Sequence, residues 1–407
     1  MNVLLLAQWY EPVIGGEEIH VRTLAHELAG RGHRVTVAAI AHPERPDRYW
    51  DGPVRVHRLR GSLQRVPFLF SDGARQSLPP FPDPGIASGL RDLVRRERPD
   101  IVHAHNWIVY SYLPVKARSV PLVLTLHDYS LTCATKVRLY RGSACSGPAA
   151  AKCLRCTSDH YGAMKGPITL GALWGMHPAV RAAVDCVVSV SGAVERDNAV
   201  PRHARRHVVI PNFIDGAFES STADVPPGLL PAEPYIMYAG SLSRIKGIEP
   251  LLAAYAGLDP ASRPPLVLVG YRGLERIAAL DRLPAGARLI TDVPRATVAA
   301  AWRRSLFAVV PSVCPEAFGL VALEAMLFGR PAIVSDIGGL RELVTDDVSG
   351  LVVRPGDVAD LRAALDRLAT DSALRDQLGA GARTAATRFR AERVIPAIES
   401  LYESLRR

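Results

Sequence analysis

Short apolar runs rich in Val, Ile and Leu alternate with amphipathic stretches along most of the chain. Val3–Ala7, Val35–Ala39, Val54–Leu59, Ile101–His103, Leu122–Leu126, Cys186–Val190 and Val208–Ile210 read as strands, with helical periodicity over Glu17–Ala29 and Ile86–Arg96. The pattern lapses between Asp215 and Pro234, where Pro226, Pro227, Pro231 and Pro234 fall, and then restarts. Strands are predicted at Tyr235–Ala239, Leu266–Val269, Arg288–Ile290, Leu306–Val310, Ala332–Val334 and Gly350–Val353, with helices at Gly247–Ala256, Gly319–Phe328 and Val358–Leu368. The tail from about Ser372 to Arg407 reads as helical throughout, long enough to pack back across the other domain. Strands apolar on both faces belong to parallel sheets covered by crossover helices. The expected class is therefore α/β, with two Rossmann-like parallel-sheet domains facing a cleft and ligands at the C-terminal strand edges. The expected divisions are an N-terminal domain at 1–215, a linker at 216–234, a second domain at 235–385 and a returning helix at 386–407. Ser62–Pro84 and Thr132–Trp174 resist assignment, the second as a cysteine-rich insertion at about 132–174.

Composition narrows the class. A length of 407 residues suits two domains, and 48% hydrophobic with 22% charged residues is ordinary globular usage. No uninterrupted apolar run is long enough to span a bilayer, and Met1–Trp9 lacks a basic leader region, so a soluble, cytoplasmic protein is expected. The net charge of +9 is scattered, without basic blocks or aromatic interleaving. That disfavours nucleic acid and points to small phosphates. Phe68-Leu69-Phe70 offers a peripheral contact to the inner membrane face, though an acceptor lid or plain core suits it better.

The segment Pro311–Ala325 carries the most chemistry. A buried strand ends in a loop with Glu316, and a helix is expected to open near Gly319. The amides of Ala317, Phe318, Gly319 and Leu320 then form an anion site for a diphosphate. Glu316 accepts from sugar hydroxyls and Glu324 from ribose hydroxyls; the alternative is a solvated loop residue and an ordinary helix charge. Lys246 lies in the glycine-led turn Ala239–Gly247, where an ammonium stabilises a leaving diphosphate, the alternative being a surface lysine. Gly15-Gly16, between strand and helix, allows close backbone approach to a phosphate or sugar, or is simply a tight turn. His127 ends an apolar strand, as a ligand contact or as a strand cap. His103 and His105 are expected on opposite sides of their strand, with His105 lining the site.

Glu316-x7-Glu324 with Phe318-Gly319 resembles the signature of the retaining GT-B glycosyltransferases, in particular glycosyltransferase family 4. Gly15-Gly16, Asp100–His105, Thr125-Leu126-His127-Asp128, Val209–Asp215, Ala239–Gly247 and Asp336–Leu343 resemble further family segments in order. The resemblance implies a GT-B fold and a nucleotide-diphosphate sugar as donor, held by Gly15, Gly16, Arg244, Lys246, Glu316, Ala317, Phe318, Gly319, Leu320 and Glu324. It implies His127, Lys246 and Glu316 as the catalytic set, His105 and Asp128 on the acceptor side, and front-side displacement with retention. The acceptor class stays open between a small molecule, a lipid-linked carrier and a polysaccharide. So do a sugar-nucleotide epimerase, a phosphorylase and a non-catalytic sugar-binding relative. The family's arginine second in the glycine-led turn is Ser241 here, with Arg244 as substitute. The residues place no carboxylate as an N-domain nucleophile, and without an Asp-x-Asp motif no catalytic cofactor or divalent ion is expected. Cys133, Cys145, Cys153 and Cys156 fall close together, and the Cys153-x2-Cys156 spacing suits a structural zinc; reduced thiols or disulfides are the alternatives.

Overall fold

Residues 1–13, 15–66, 77–222, 225–272 and 275–406 are described by a computed structural model, in which the chain divides into two units. Phe68-Leu69-Phe70 lies outside the described residues. The first unit comprises Met1–Arg138, Ser146–Asn212 and Ala391–Arg407; the second comprises Leu139–Cys145 and Phe213–Arg390.

The first unit is built on strands β1 (Asn2–Leu6), β2 (Arg34–Ile40), β3 (Arg48–Asp51), β4 (Val54–Leu59), β5 (Ile101–His105) and β6 (Leu122–Leu126). Beyond a separate hairpin of β7 (Leu139–Tyr140) and β8 (Ser143–Ala144), β9 (Cys186–Ser189) and β10 (His207–Val209) complete the sheet. The order is β10-β9-β6-β5-β1-β2-β4-β3, parallel except for the antiparallel edge strand β3. The apolar run of β1 forms a strand because both its faces are buried: Leu4, Leu5 and Leu6 are inaccessible to solvent. With β2 on one side and β5 on the other, β1 is where the strand order reverses.

Periodicity misplaces two histidines. His103 and His105 share one face of β5, with rings stacked at 4.4 Å, because residues two apart on a strand project to the same side. The expectation of opposite faces is thus corrected. His103 is structural in its bonding: Nδ1 lies 2.6 Å from the Tyr402 hydroxyl and Nε2 lies 2.6 Å from Thr125 Oγ1.

Tyr402 belongs to the last helix, Ala391–Arg406, whose Ile395 and Tyr402 are fully buried in the first unit. His33 and Arg406 add contacts to Glu399 and Asp100. The tail is not helical throughout. One helix ends at Ala386, a short 3-10 turn covers Thr387–Phe389, and extended Arg390 precedes the last helix. Tyr402→Phe leaves His103 Nδ1 buried without its partner, and is expected to cost the first unit about 1–3 kcal/mol, read as a lower midpoint in urea. An unchanged midpoint would show that the hydroxyl contributes nothing.

The second unit holds β11 (Tyr235–Leu242), β12 (Leu266–Arg272), β13 (Ala287–Thr291), β14 (Ser305–Val310), β15 (Ala332–Ser335) and β16 (Gly350–Val353), all parallel, in the order β13-β12-β11-β14-β15-β16. Ile236, Leu266, Phe307 and Ile333 from the strands meet Ile248, Leu251, Leu365 and Leu378 from the helices in one core. The order reverses at β11, between β12 and β14. Upstream, the helix Gly216–Ser220 is capped by Asp215 and sets Phe218 edge-on against Phe328 within this unit. Among the described residues, no helix is long and apolar enough to cross a membrane.

Candidate active site

Ligands of open α/β sheets bind beyond the carboxyl ends of the strands, where the strand order reverses. In the second unit that position lies between β11 and β14, and the loops that follow these two strands meet there. Lys246 follows β11 in a short 3-10 turn, and Glu316 follows β14. Lys246 Nζ stands 2.6 Å from Glu316 Oε1, and the Ser312 hydroxyl donates to the same oxygen at 2.5 Å. The backbone supports the pair, since Val313 and Cys314 donate N–H groups to the Ile245 carbonyl at 3.0 and 3.3 Å. Gly247, at φ 75°, allows this approach: a Cβ there would stand 1.8 Å from the Pro311 carbonyl oxygen.

Burial opposes both charges, yet Lys246 holds the Glu316 carboxyl below its ordinary range, and Glu316 raises the ammonium. Both groups are therefore charged at neutral pH. The Asp336–Leu343 turn braces the same loop from behind: Gly339 N–H donates to the Glu316 carbonyl at 2.7 Å.

The helix after this loop runs from Leu320 to Leu327, capped by Gly319 at φ 102° with no side-chain hydrogen bond at the cap. Glycine offers no side chain to cap the amides of that end. Phe318 is buried edge-on to Phe389, which fixes the loop before the helix. Glu324 faces inward, where Oε1 meets Arg295 Nη1 at 3.0 Å and Oε2 accepts from the Trp302 indole at 3.4 Å. Burial raises its carboxyl against the pull of Arg295. A ribose at Glu324 would have to share these partners. Arg244 is turned to the surface carboxylates of Glu249 and Glu275, both at 3.5 Å from its Nε, while Ser241 Oγ lies 3.3 Å from Ser243 Oγ.

In the first unit the reversal lies at β1, between β2 and β5. Gly15 is the N-cap of the helix Gly16–Gly30, in extended conformation. The first turn of that helix carries Glu17 and Glu18, so its positive end already faces carboxylates. Asn106, in left-handed conformation after β5, ties the edge together. Its Oδ1 accepts the His127 N–H at 3.0 Å; its Nδ2 donates to Glu17 Oε2 at 2.7 Å and Asp128 Oδ2 at 3.3 Å. Burial, then Glu18 and Asp128, raise the Glu17 carboxyl well above its ordinary range. Sequence reasoning placed Asp128 here but not Glu17, although Glu17 directly follows Gly15-Gly16, which was the available signal. It also passed over His20, which sits one helical turn after Glu17. His105 Nδ1 lies 2.9 Å from His127 Nε2, and the His20 ring stands 4.7 Å from that of His127.

The cysteines do not form the expected zinc centre. Cys153 and Cys156 sit on the helix Ala150–Tyr161, where Cys153 Sγ accepts the Ala149 N–H; Cys133 Sγ contacts Thr135 Oγ1 at 3.3 Å. Cys145 lies in the segment grouped with the second unit, and no disulfide joins any of the six described cysteines. Among the described residues, no three of these sulfurs converge on one ion position. Packing holds the insertion instead: Gly166 lies so close to the Thr157 carbonyl that a Cβ would stand 2.5 Å from its oxygen.

Comparison with known proteins agrees with this architecture. The family model of glycosyltransferase family 4 matches residues 14–218, and that of glycosyl transferases group 1 matches residues 223–385. Glycogen synthase of Mycobacterium tuberculosis is 28% identical, with 94% of this chain and 89% of that protein covered. D-inositol 3-phosphate glycosyltransferase of Xylanimonas cellulosilytica is 27% identical, over 95% of this chain and 91% of that one. Among solved structures, sucrose-phosphate synthase of Thermosynechococcus elongatus superposes with a TM-score of 0.76 at 23% identity, covering 99% of this chain and 98% of that one. HepE of Anabaena, solved with UDP and glucose, gives 0.69 at 20% identity and full coverage of both chains. Two parallel-sheet units, polar loops at both strand-order reversals and matches along the chain lead to one assignment: this is a GT-B glycosyltransferase, and it belongs to glycosyltransferase family 4.

Proposed function

We propose that the enzyme moves a sugar from a nucleoside-diphosphate donor bound by the second unit to an acceptor hydroxyl presented by the first, with retention. The observation that carries this reading is the Lys246–Glu316 contact at the switch point between β11 and β14. A nucleoside diphosphate suits that position because an ammonium and a helix N-terminus both stabilise phosphate charge. Glu316 orients the sugar, and Ala317 to Leu320 receive the diphosphate. Glu324 takes the ribose by sharing its bonds to Arg295 and Trp302.

In the reaction the bond from the anomeric carbon to the diphosphate oxygen breaks, and its electron pair leaves with the diphosphate. The acceptor oxygen bonds to the same face of that carbon, and its proton passes to the departing phosphate oxygen. Lys246 stabilises the charge that grows on the leaving group. In this reading His127 serves the reacting sugar, and His105 and Asp128, with Glu17, serve the acceptor. A cytoplasmic location fits a diphosphate-sugar donor, and the relatives' names make a polyol phosphate and a glucan the first acceptors to try.

Calorimetric titration with UDP, GDP and ADP is expected to show one of them binding at one site per chain. NMR of the product from the matching sugar donor should then show the donor's anomeric configuration preserved. An inverted product would overturn retention, and no nucleotide uptake would overturn the donor assignment.

A further inference from the structure

Two aspartates sit in the left-handed region of φ, and they differ in what holds them. Asp347, at φ 54°, has its carboxylate paired with Arg367 at 2.8 Å. Asp292, at φ 58°, is exposed directly after β13, and among the described residues its carboxylate has no hydrogen bond and no ion pair. Glycine adopts that conformation at lower cost. A side chain kept there without a partner points to a task for its carboxylate.

Position narrows the task. β13, β12 and β11 are consecutive in the second sheet, and their register sets Thr291 beside Gly270 and Gly270 beside Gly240. The residues that follow, Asp292, Tyr271 and Ser241, therefore form one row at the carboxyl edge, where open α/β sheets bind ligands. Asp292 stands two strand spacings, about 10 Å, from the strand that leads to Lys246. Tyr271 lies between them, 37% exposed and close enough to Lys246 to help raise its ammonium. In the other direction Asp292 is followed after two residues by Arg295, whose guanidinium meets Glu324 at 3.0 Å. A nucleotide with its diphosphate at Lys246 and its ribose at Glu324 would carry its base to this row.

We propose that Asp292 reads the base of the donor nucleotide and selects guanine. This rests on the nucleoside-diphosphate reading of the second unit and adds the base to it. A carboxylate offers only hydrogen-bond acceptors. Guanine presents its ring N–H and its amino group side by side, so both oxygens of one carboxylate are used in parallel. Uracil has a single ring N–H flanked by two carbonyl oxygens, and adenine and cytosine set one amino group next to a ring lone pair. Each of those presses a lone pair against the carboxylate, which works against binding. The exposed ring of Tyr271 supplies a face for the base to stack on.

The test titrates the full chain calorimetrically with GDP, UDP, ADP and CDP. GDP should bind at least about 10-fold more tightly than the other three, the low end for one added hydrogen bond to a charged group. Asp292→Asn should weaken GDP about 10-fold and gain affinity for xanthosine diphosphate, whose carbonyl replaces the guanine amino group and accepts from the new amide. A gain of that kind does not arise from misfolding. Asp292→Gly suits φ 58° and should keep or raise the parent's midpoint in urea while losing most of the GDP preference. Equal affinity for GDP and UDP in the parent, a preference for UDP, ADP or CDP, or an undiminished GDP preference in both variants would each overturn the guanine assignment. Uptake of one of the other nucleotides leaves the donor reading in place, whereas uptake of none ends both.

Discussion

Alanine at Lys246 is expected to lower kcat for sugar transfer by about 10²–10³-fold, the cost typical of removing one preorganised donor to a developing anion. The ammonium sits 2.6 Å from Glu316 Oε1, so the change also frees a carboxylate that Lys246 now holds in its charged form. Because charge on the diphosphate grows as the anomeric bond stretches, the loss should fall on kcat more than on KM. Lys246→Arg should recover only part of it, since a planar fork does not reproduce a compact ammonium. Steady-state kinetics with the donor found by the nucleotide titration decide the matter. A kcat within threefold of the parent would remove Lys246 from the mechanism.

Gly338→Ala is expected to destabilise the second unit by roughly 2–5 kcal/mol, combining a left-handed residue at about 1–2 kcal/mol with an overlap of about 1–3 kcal/mol. Gly338 has φ 59°, and a Cβ there would stand 2.2 Å from the Glu316 carbonyl oxygen and 2.6 Å from its nitrogen. Both are backbone atoms, so no rotamer change relieves the contact. The Glu316 loop has to shift instead, which should also cost transfer about 10²-fold for a displacement of about 1 Å. Urea unfolding and kinetics on the same variant measure both effects. Gly171→Ala, where nothing lies within 4 Å of the added carbon, is the control and should be neutral or slightly stabilising. Equal stability of Gly338→Ala and the parent would show that the turn does not brace the loop.

The parallel strands were legible because each is apolar on both faces: Leu122–Leu126 and Gly350–Val353 lie where the runs of Val, Ile and Leu end. Edge strand β3, Arg-Tyr-Trp-Asp, was not, since only Asp51 of its residues is buried and no hydrophobic run marks it. The tail misled because helical composition continues through Arg390, where chain direction rather than propensity ends the helix. In the candidate site, Lys246 and Glu316 were readable as separate loop residues; their contact is a product of adjacent strands 70 residues apart. The cysteine spacing suggested coordination that folding does not assemble, because spacing along a helix says nothing about where third and fourth ligands go. His20, His105 and His127, which no local motif links, come close to one another only through the fold.

The route of the chain between its two units has a further consequence. The peptide leaves the first unit after Asn212 and re-enters it at Ala391. On the ribosome, His103 therefore emerges 299 residues ahead of the tyrosine that completes its bonding. All eight strands of the first sheet precede the second unit in the chain, and the helix that supplies Tyr402 is made after it. A fragment covering residues 1–212 should accordingly be insoluble or molten by itself, and a peptide of residues 391–406 added in trans should restore it.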